Sequence, residues 1–273
     1  MDPAQRATVA ALFVAGTVLA TGLAVLVAPG GASSPEVVVG DLGDATTTGP
    51  TTTGPTSTGP STTGPTAATG ALRPVPLALA PGPHAPVLSR IDTTDPVVFL
   101  TIDDGLVQDP AVVEWLRTNQ VPVTMFPTPP YVNQNPAFFE SIHALGASVQ
   151  DHTVNHKNLT TLPAGELKRE ICDVLPQFQA RFGQAPWMMR PPGGAVNSNV
   201  QYTARACGIR AIVLWRATMN DGRLDTQGGE LQAGDIVLLH FRDDLLHNLE
   251  VMTAAAEAKG LRPARLEDYL TPG

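Results

Sequence analysis

The chain has 273 residues, enough for one or two domains, and 43% of them are apolar, an ordinary share for a packed core that excludes a chain disordered throughout. A formal net charge of -8 without any Lys/Arg cluster argues against nucleic acid or an anionic membrane surface as the main partner. A neutral or basic substrate fits better.

Ala7 to Ala28 is a run of 22 residues without a charge, followed by Pro29, Gly30 and Gly31. A helix of that length crosses a hydrocarbon core of roughly 30 Å. It exceeds the usual signal-peptide apolar region of about 7 to 15 residues, which favours an uncleaved signal anchor. The small residues "GGASS" at 30–34 keep a cleaved signal peptide open as the alternative. Residues 1–32 are therefore expected to be an anchor or signal, placing the protein at the outer face of the cell membrane or in the cell envelope. A repeat follows: "TTTGP" at 46–50 and 51–55, then "TSTGP" and "STTGP" up to Pro65. Its Thr, Gly and Pro bury almost no apolar surface, so residues 33–94 are expected to form a disordered, extended stalk, bare or carrying O-linked sugar.

From about Val97 apolar runs at 97–102, 121–126, 209–215 and 236–240 alternate with amphipathic segments near 110–119, 136–145, 164–182, 197–207 and 247–259. Apolar strands alternating with helices predict an α/β domain over 95–273 with a parallel sheet, either doubly wound or a barrel. In both, chemistry gathers at the carboxyl ends of the strands. There the first run ends on Asp103, Asp104 and Gly105. Neighbouring residues of a regular strand point to opposite faces, so the strand must break to bring both acids to one site, and Gly105 permits the turn. Alone, one of the acids reads equally well as a helix cap.

The partners come from "QDHTVNH" at 150–156. His152 and His156 stand four apart, which on a helical turn puts both imidazoles on one side. Two histidines and one carboxylate make a three-ligand set that leaves positions open on a metal. Two further strand ends add Arg190, before the turn containing Gly193, and His240. A histidine ending a buried strand is by default a structural hydrogen-bonder; convergence with two histidines, two acids and an arginine favours function.

In this order "TIDDG", "HTVNH", "RPPGG", "LWRATMND" and "LLH" resemble the five motifs of the polysaccharide deacetylase (NodB homology) domain, carbohydrate esterase family 4, over about residues 95–270. The resemblance implies a distorted (β/α) barrel and a divalent metal, usually zinc, sometimes cobalt or another metal. The usual activity is hydrolysis of acetyl groups from N-acetylated sugar polymers such as peptidoglycan or chitin; some relatives remove O-acetyl groups from xylan. It implies that Asp104, His152 and His156 hold the metal, with Thr153 bracing the loop. Asp103 is then the general base, Arg190 orients it, and His240 is the acid that protonates the leaving amine. Asp221 matches a further acid of the fourth motif. The Gly193 N–H would face the oxyanion, Leu238 the acetyl methyl, and Trp215 the substrate. A monomer is expected, with an acetylated polysaccharide as its substrate and the membrane engaged through the N-terminal helix.

The chain departs from the pattern where Thr218 replaces an acid, and where Gly193 and Gly222 stand for aromatics and Phe241 for an acid. A wider groove or another glycan would follow, and the hold on His240 is weakened. Two readings therefore stand beside the N-deacetylase: an O-acetyl esterase and a non-catalytic glycan-binding module on the same fold. Cys172 and Cys207 are expected to form a disulfide joining two helices, with free buried thiols as the alternative. His84, His143 and His247 lack a motif and read as surface or core residues.

Overall fold

The computed structural model describes residues 74–272. In chain order the strands are β1 (Leu77–Ala78), β2 (Val87–Leu88), β3 (Val97–Asp104), β4 (Thr124–Pro127), β5 (Ser148–Val149), β6 (Met188–Met189), β7 (Ala211–Val213), β8 (Ala217–Asn220), β9 (Arg223–Thr226), β10 (Ile236–His240), β11 (Arg262–Pro263) and β12 (Leu270–Thr271). The helices are α1 (Pro110–Asn119), α2 (Pro129–Gln134), α3 (Pro136–Ala144), α4 (Ala164–Cys172), α5 (Val174–Phe182), α6 (Ser198–Cys207) and α7 (Leu245–Ala258).

The largest sheet has the order β5-β4-β3-β10-β8-β9, parallel except for the β8–β9 hairpin, with β11 pairing the start of β3. A second ladder runs β2-β7-β6, and a parallel bridge from Asp151 to Met189 connects the end of β5 to β6. Parallel strands therefore follow one another as β8, β10, β3, β4, β5, β6 and β7. No ladder among the described residues joins β7 back to β8.

Strand β3 shows how this layout aims the chemistry. Val98, Leu100 and Ile102 enter the cluster shared with α1, α3 and α7, while Val97 and Phe99 enter a second cluster with Phe126, Met188, Val213 and Ile236. Both faces are buried, which is why the strand reads as a continuous apolar run rather than an alternating one. Period two then places Thr101 and Asp103 on the face of Phe99. On β10, Val237 and Leu239 join the first cluster and Ile236 the second, so Leu238 and His240 share the face of Asp103. The register pairs His240 with Asp103 directly.

Helix ends follow their residues. Asp109 caps α1 by accepting from the Ala111 N–H at 2.9 Å, with Pro110 at the first helical position. Asn197 caps α6 through the Val200 N–H at 3.0 Å, and Gly208 ends it with φ 106°. The segment 164–182, expected as one helix, is two. Pro176 lacks an N–H and its ring would clash with the Cys172 carbonyl, so α4 stops at Cys172 and α5 begins at Val174. Cys172 and Cys207 are disulfide-bonded, with Cα atoms 5.1 Å apart, tying α4 to α6 as expected.

The stalk boundary at 94 is corrected. Strand β1 pairs with β12 and β2 with β7, while Leu79, Ala85 and Ile91 are buried, so residues 77–94 belong to the packed domain. Two-residue strands among prolines and glycines carry too little periodicity to be read from sequence. The apolar segment 7–28 and the repeats lie outside the described residues. No helix among the described residues is long and apolar enough to cross a membrane.

Candidate active site

The acid pair breaks its strand as anticipated, but one residue earlier. Asp104 itself has φ 75°, followed by Gly105 at φ 119°. The left-handed turn swings the Asp104 carboxylate away from the face it would occupy in a regular strand. Gly105 is required by space as well: an added Cβ would lie 2.8 Å from Tyr131 Cβ and 2.8 Å from Phe139 Cζ.

The histidine pair is not on a helix. Residues 152–158 form an irregular loop in which Thr153 has φ 66° and His156 φ 54°. Spacing alone suggested a shared helical face; two left-handed residues bring the rings together instead, at a centroid distance of 4.9 Å. Thr153 braces the loop as expected, its Oγ1 accepting from the His156 N–H at 3.1 Å.

Asp104 Oδ1 lies 3.4 Å from His152 Nε2 and 3.3 Å from His156 Nε2, and one ligand atom from each of the three residues falls within 4.8 Å of the others. Bonds of about 2.05 Å at tetrahedral angles give ligand atoms roughly 3.3 Å apart. Both distances exceed the ~2.9 Å of a good hydrogen bond. His152 Nδ1 donates to the Arg190 carbonyl at 2.7 Å, which fixes the tautomer and leaves Nε2 bare for a ligand bond. The three residues thus fit a divalent cation. Burial disfavours the Asp104 charge, but the neighbouring His152 and His156 imidazoles outweigh it and hold its carboxyl well below the usual range. The Asp104 carboxylate in turn raises His156.

Asp103 is 2% exposed and its oxygens are divided. Oδ1 accepts from Arg190 Nη1 at 2.7 Å, and Oδ2 lies 3.8 Å from His152 Nε2, on the side of the three-residue cluster. Arg190 is fully buried, Nε donating to the Val213 carbonyl at 2.9 Å and Nη2 to that of Leu214 at 3.3 Å. Its guanidinium also lies 4.6 Å from the Phe126 ring centroid and 5.7 Å from that of Trp215. Burial pulls the Arg190 pKa down while the Asp103 carboxylate supports its charge.

The sequence matches the polysaccharide deacetylase family over residues 90–212. An uncharacterized protein of Streptomyces coelicolor is 38% identical over 192 residues, covering 68% of this chain and 77% of that one. The chain belongs to the polysaccharide deacetylase family. A peptidoglycan-N-acetylglucosamine deacetylase of Bacillus cereus is 28% identical over 198 residues, covering 68% of this chain and 90% of the relative. Among solved structures, a carbohydrate esterase family 4 pseudoenzyme from Bacillus anthracis superposes with a TM-score of 0.60 at 21% identity, covering 68% of this chain and 69% of that one. A likeness at that identity concerns the fold. Within a polysaccharide deacetylase fold that also serves a pseudoenzyme, the residues of the site decide the chemistry.

The remaining motif residues divide. His240 and Leu238 face the site from β10, and Leu238 is 5% exposed. Burial lowers the His240 pKa, partly countered by the Asp103 charge. Its buried Nδ1 has no hydrogen-bond partner. Thr218, where the family pattern has an acid, is register-paired with Leu238 and so faces the same side. Trp215 is half-buried, with Arg190 on one side and its ring 3.2 Å from where a Gly194 Cβ would stand. The φ of Gly193 is 62°, and nothing lies within 4 Å of an added Cβ there.

Among the described residues, Asp221 makes no side-chain hydrogen bond or ion pair to Asp103, Arg190, His152 or His240. It sits exposed in the β8–β9 turn, and it is its backbone N–H that is engaged, by Asp244 Oδ2 at 2.7 Å. The Gly222 N–H donates to the buried Asn248 Oδ1 at 2.8 Å, pinning this turn to α7. The exposed His247 fills the space over Gly222, its Nε2 2.5 Å from an added Cβ. Sequence reasoning also missed Asp151 and Glu170. Asp151 is fully buried beside His152, its Oδ1 accepting from the Thr153 N–H at 2.7 Å, and burial raises its pKa well above the ordinary value. Glu170 carried a signal: an acid on the face that Leu167, Ile171 and Val174 mark as buried.

Proposed function

We propose that this protein is a metal-dependent hydrolase that removes acetyl groups from N-acetylated sugars of a cell-envelope glycan. The observation that carries the reading is the division of Asp103, one oxygen bonded to Arg190 at 2.7 Å and the other turned toward Asp104, His152 and His156. Two imidazoles and a carboxylate suit zinc, with cobalt as a substitute. A divalent ion held by these three residues supplies Lewis acidity to an amide carbonyl and its attacking water.

The chain's own groups perform the rest. Arg190 fixes Asp103 Oδ1, leaving Oδ2 to take the water's proton as general base. In this reading the Gly193 N–H donates to the oxyanion that develops on the carbonyl oxygen. Leu238 offers an apolar wall to the acetyl methyl. His240 then delivers a proton to the amine nitrogen as the C–N bond breaks, since an unprotonated amine is a poor leaving group. Asp221 has no part in this scheme. The Bacillus cereus relative's name supports a peptidoglycan-type substrate, and the acidic net charge suits a neutral or basic polymer. The apolar segment 7–28 holds the protein at the outer membrane face, and the Thr/Gly/Pro repeats give the domain its reach.

The test is acetate release from N-acetylated and O-acetylated glycan fragments by the metal-stripped chain reloaded with zinc or cobalt, beside Asp103→Asn. Release from the N-acetylated fragments that requires metal, and falls by roughly 100- to 10,000-fold in the variant, is expected. Metal binding without release from either substrate would instead leave a glycan-binding protein on the same fold.

A further inference from the structure

The loop carrying His152 and His156 holds two left-handed residues without being glycine-rich, a conformation that persists only when the surroundings over-determine it. Its ends are held from within, by Asp151 on the Thr153 N–H and by Thr153 on the His156 N–H. Its middle is held from outside, by a single residue of α4. The Val154 N–H donates to the Glu170 carbonyl at 3.0 Å, the Asn155 N–H to Glu170 Oε2 at 2.8 Å, and Asn155 Nδ2 to Glu170 Oε1 at 2.8 Å. Both residues between the two histidines, apart from Thr153, are thus fixed by Glu170.

A glutamate 3% exposed is unusual, because a carboxylate leaves water only when its oxygens are satisfied. Here each oxygen accepts from Asn155, and Lys157 Nζ lies 3.8 Å away. The helix that carries it is itself fixed. Leu167 and Ile171 pack with Met189, Val200 and Ala204, and Cys172, two residues on, is disulfide-bonded to Cys207 of α6. Glu170 touches neither the three converging residues nor Asp103, so the scheme above gives it no chemistry.

We propose that Glu170 is the positioning residue of the metal site: its carboxylate clamps Asn155 to α4, beside the main-chain bond of Val154 to the same helix, and so sets the aim of His152 and His156 and the affinity for the cation. This rests on the reading of Asp104, His152 and His156 as metal ligands. Groups that support ligands without touching the metal typically change affinity by about 10- to 100-fold when removed. Charge is not what the clamp needs. In Glu170→Gln the amide oxygen still accepts from the Asn155 N–H, and the amide nitrogen meets a flipped Asn155 side-chain oxygen.

The experiment titrates the full chain with cobalt(II), reading affinity and the visible ligand-field spectrum, for wild type, Glu170→Ala, Glu170→Gln and Asn155→Ala. Expected are a loss of about 10-fold or more with an altered spectrum for Glu170→Ala, and affinity within about 3-fold of wild type for Glu170→Gln. Asn155 is exposed, so its replacement leaves the core intact and should give a smaller loss than Glu170→Ala. If Glu170→Ala is too unstable to purify, an unchanged affinity and spectrum in Asn155→Ala overturns the proposal. Wild-type affinity in Glu170→Ala overturns it and leaves the metal site standing. A wild type that binds no cobalt or zinc sinks the metal site and this inference together.

Discussion

Arg190 and Asp103 are both withdrawn from water, and each is the other's charged neighbour. Breaking such a pair strands a buried charge, so Arg190→Met should destabilise the protein by about 3–5 kcal/mol, read as a lower urea midpoint at unchanged slope. A loss under about 1 kcal/mol would mean that water reaches Asp103. His240 makes the opposite point. As a general acid it works in its protonated form, yet burial lowers its pKa and its Nδ1 has no partner. The alkaline limb of kcat/KM assigned to His240 should therefore lie below the ordinary imidazole value of about 6.5. Thr218 faces the same side of the sheet from the adjoining strand. Thr218→Asp places a carboxylate near the imidazole, favours its charged form, and should move that limb up by roughly one pH unit or more. A limb that stays or moves down would show that His240 is not the acid. Arg190 and His240 were legible in the sequence as strand-end groups. What it could not show is that Asp221 would be turned outward, because the hold of Asp244 and Asn248 on that turn is a tertiary fact.

At the scale of elements, strands and helices were legible where side-chain periodicity is long. β3, β10, α1, α3 and α6 lie where apolar runs and caps put them. The ligand loop was not, since His152 and His156 have helical spacing and the structure reaches the same proximity through two positive φ angles. Spacing in "HTVNH" does not distinguish the two; the loop is held by Thr153 on the His156 N–H and, from the distant α4, by Glu170 on Asn155. That dependence gives the disulfide a measurable weight. Cys172 and Cys207 are separated by 35 residues, a loop whose closure should contribute roughly 4 kcal/mol by the chain-entropy relation. Replacing both by Ala should lower the unfolding free energy by about 2–4 kcal/mol, and a reducing agent should do the same to the wild type but nothing to the variant. An equal response to reductant in both proteins would mean that the bond contributes no stability.

Over the whole domain, the three proposed ligands come from separate parts of the chain. Asp104 closes β3, whereas His152 and His156 lie in the passage from β5 to α4, where the bridge of Asp151 to Met189 is the link to β6. A cation bound by all three therefore adds a crosslink that the unfolded chain cannot reproduce, and its binding free energy appears as stability. At a free metal concentration 100 times the dissociation constant the gain is about 2.7 kcal/mol. For a domain of this size that corresponds to a rise in Tm of about 5–10 °C over the chelator-stripped protein. Zinc or cobalt should produce the rise. Asp104→Asn should abolish most of it by removing the carboxylate that gathers both imidazoles. Asp103→Asn should retain it, because Asp103 is held by Arg190 rather than by the cation. Equal metal-induced shifts in wild type and Asp104→Asn would place the cation elsewhere, and a shift lost in Asp103→Asn would reverse the roles given to the two neighbouring acids.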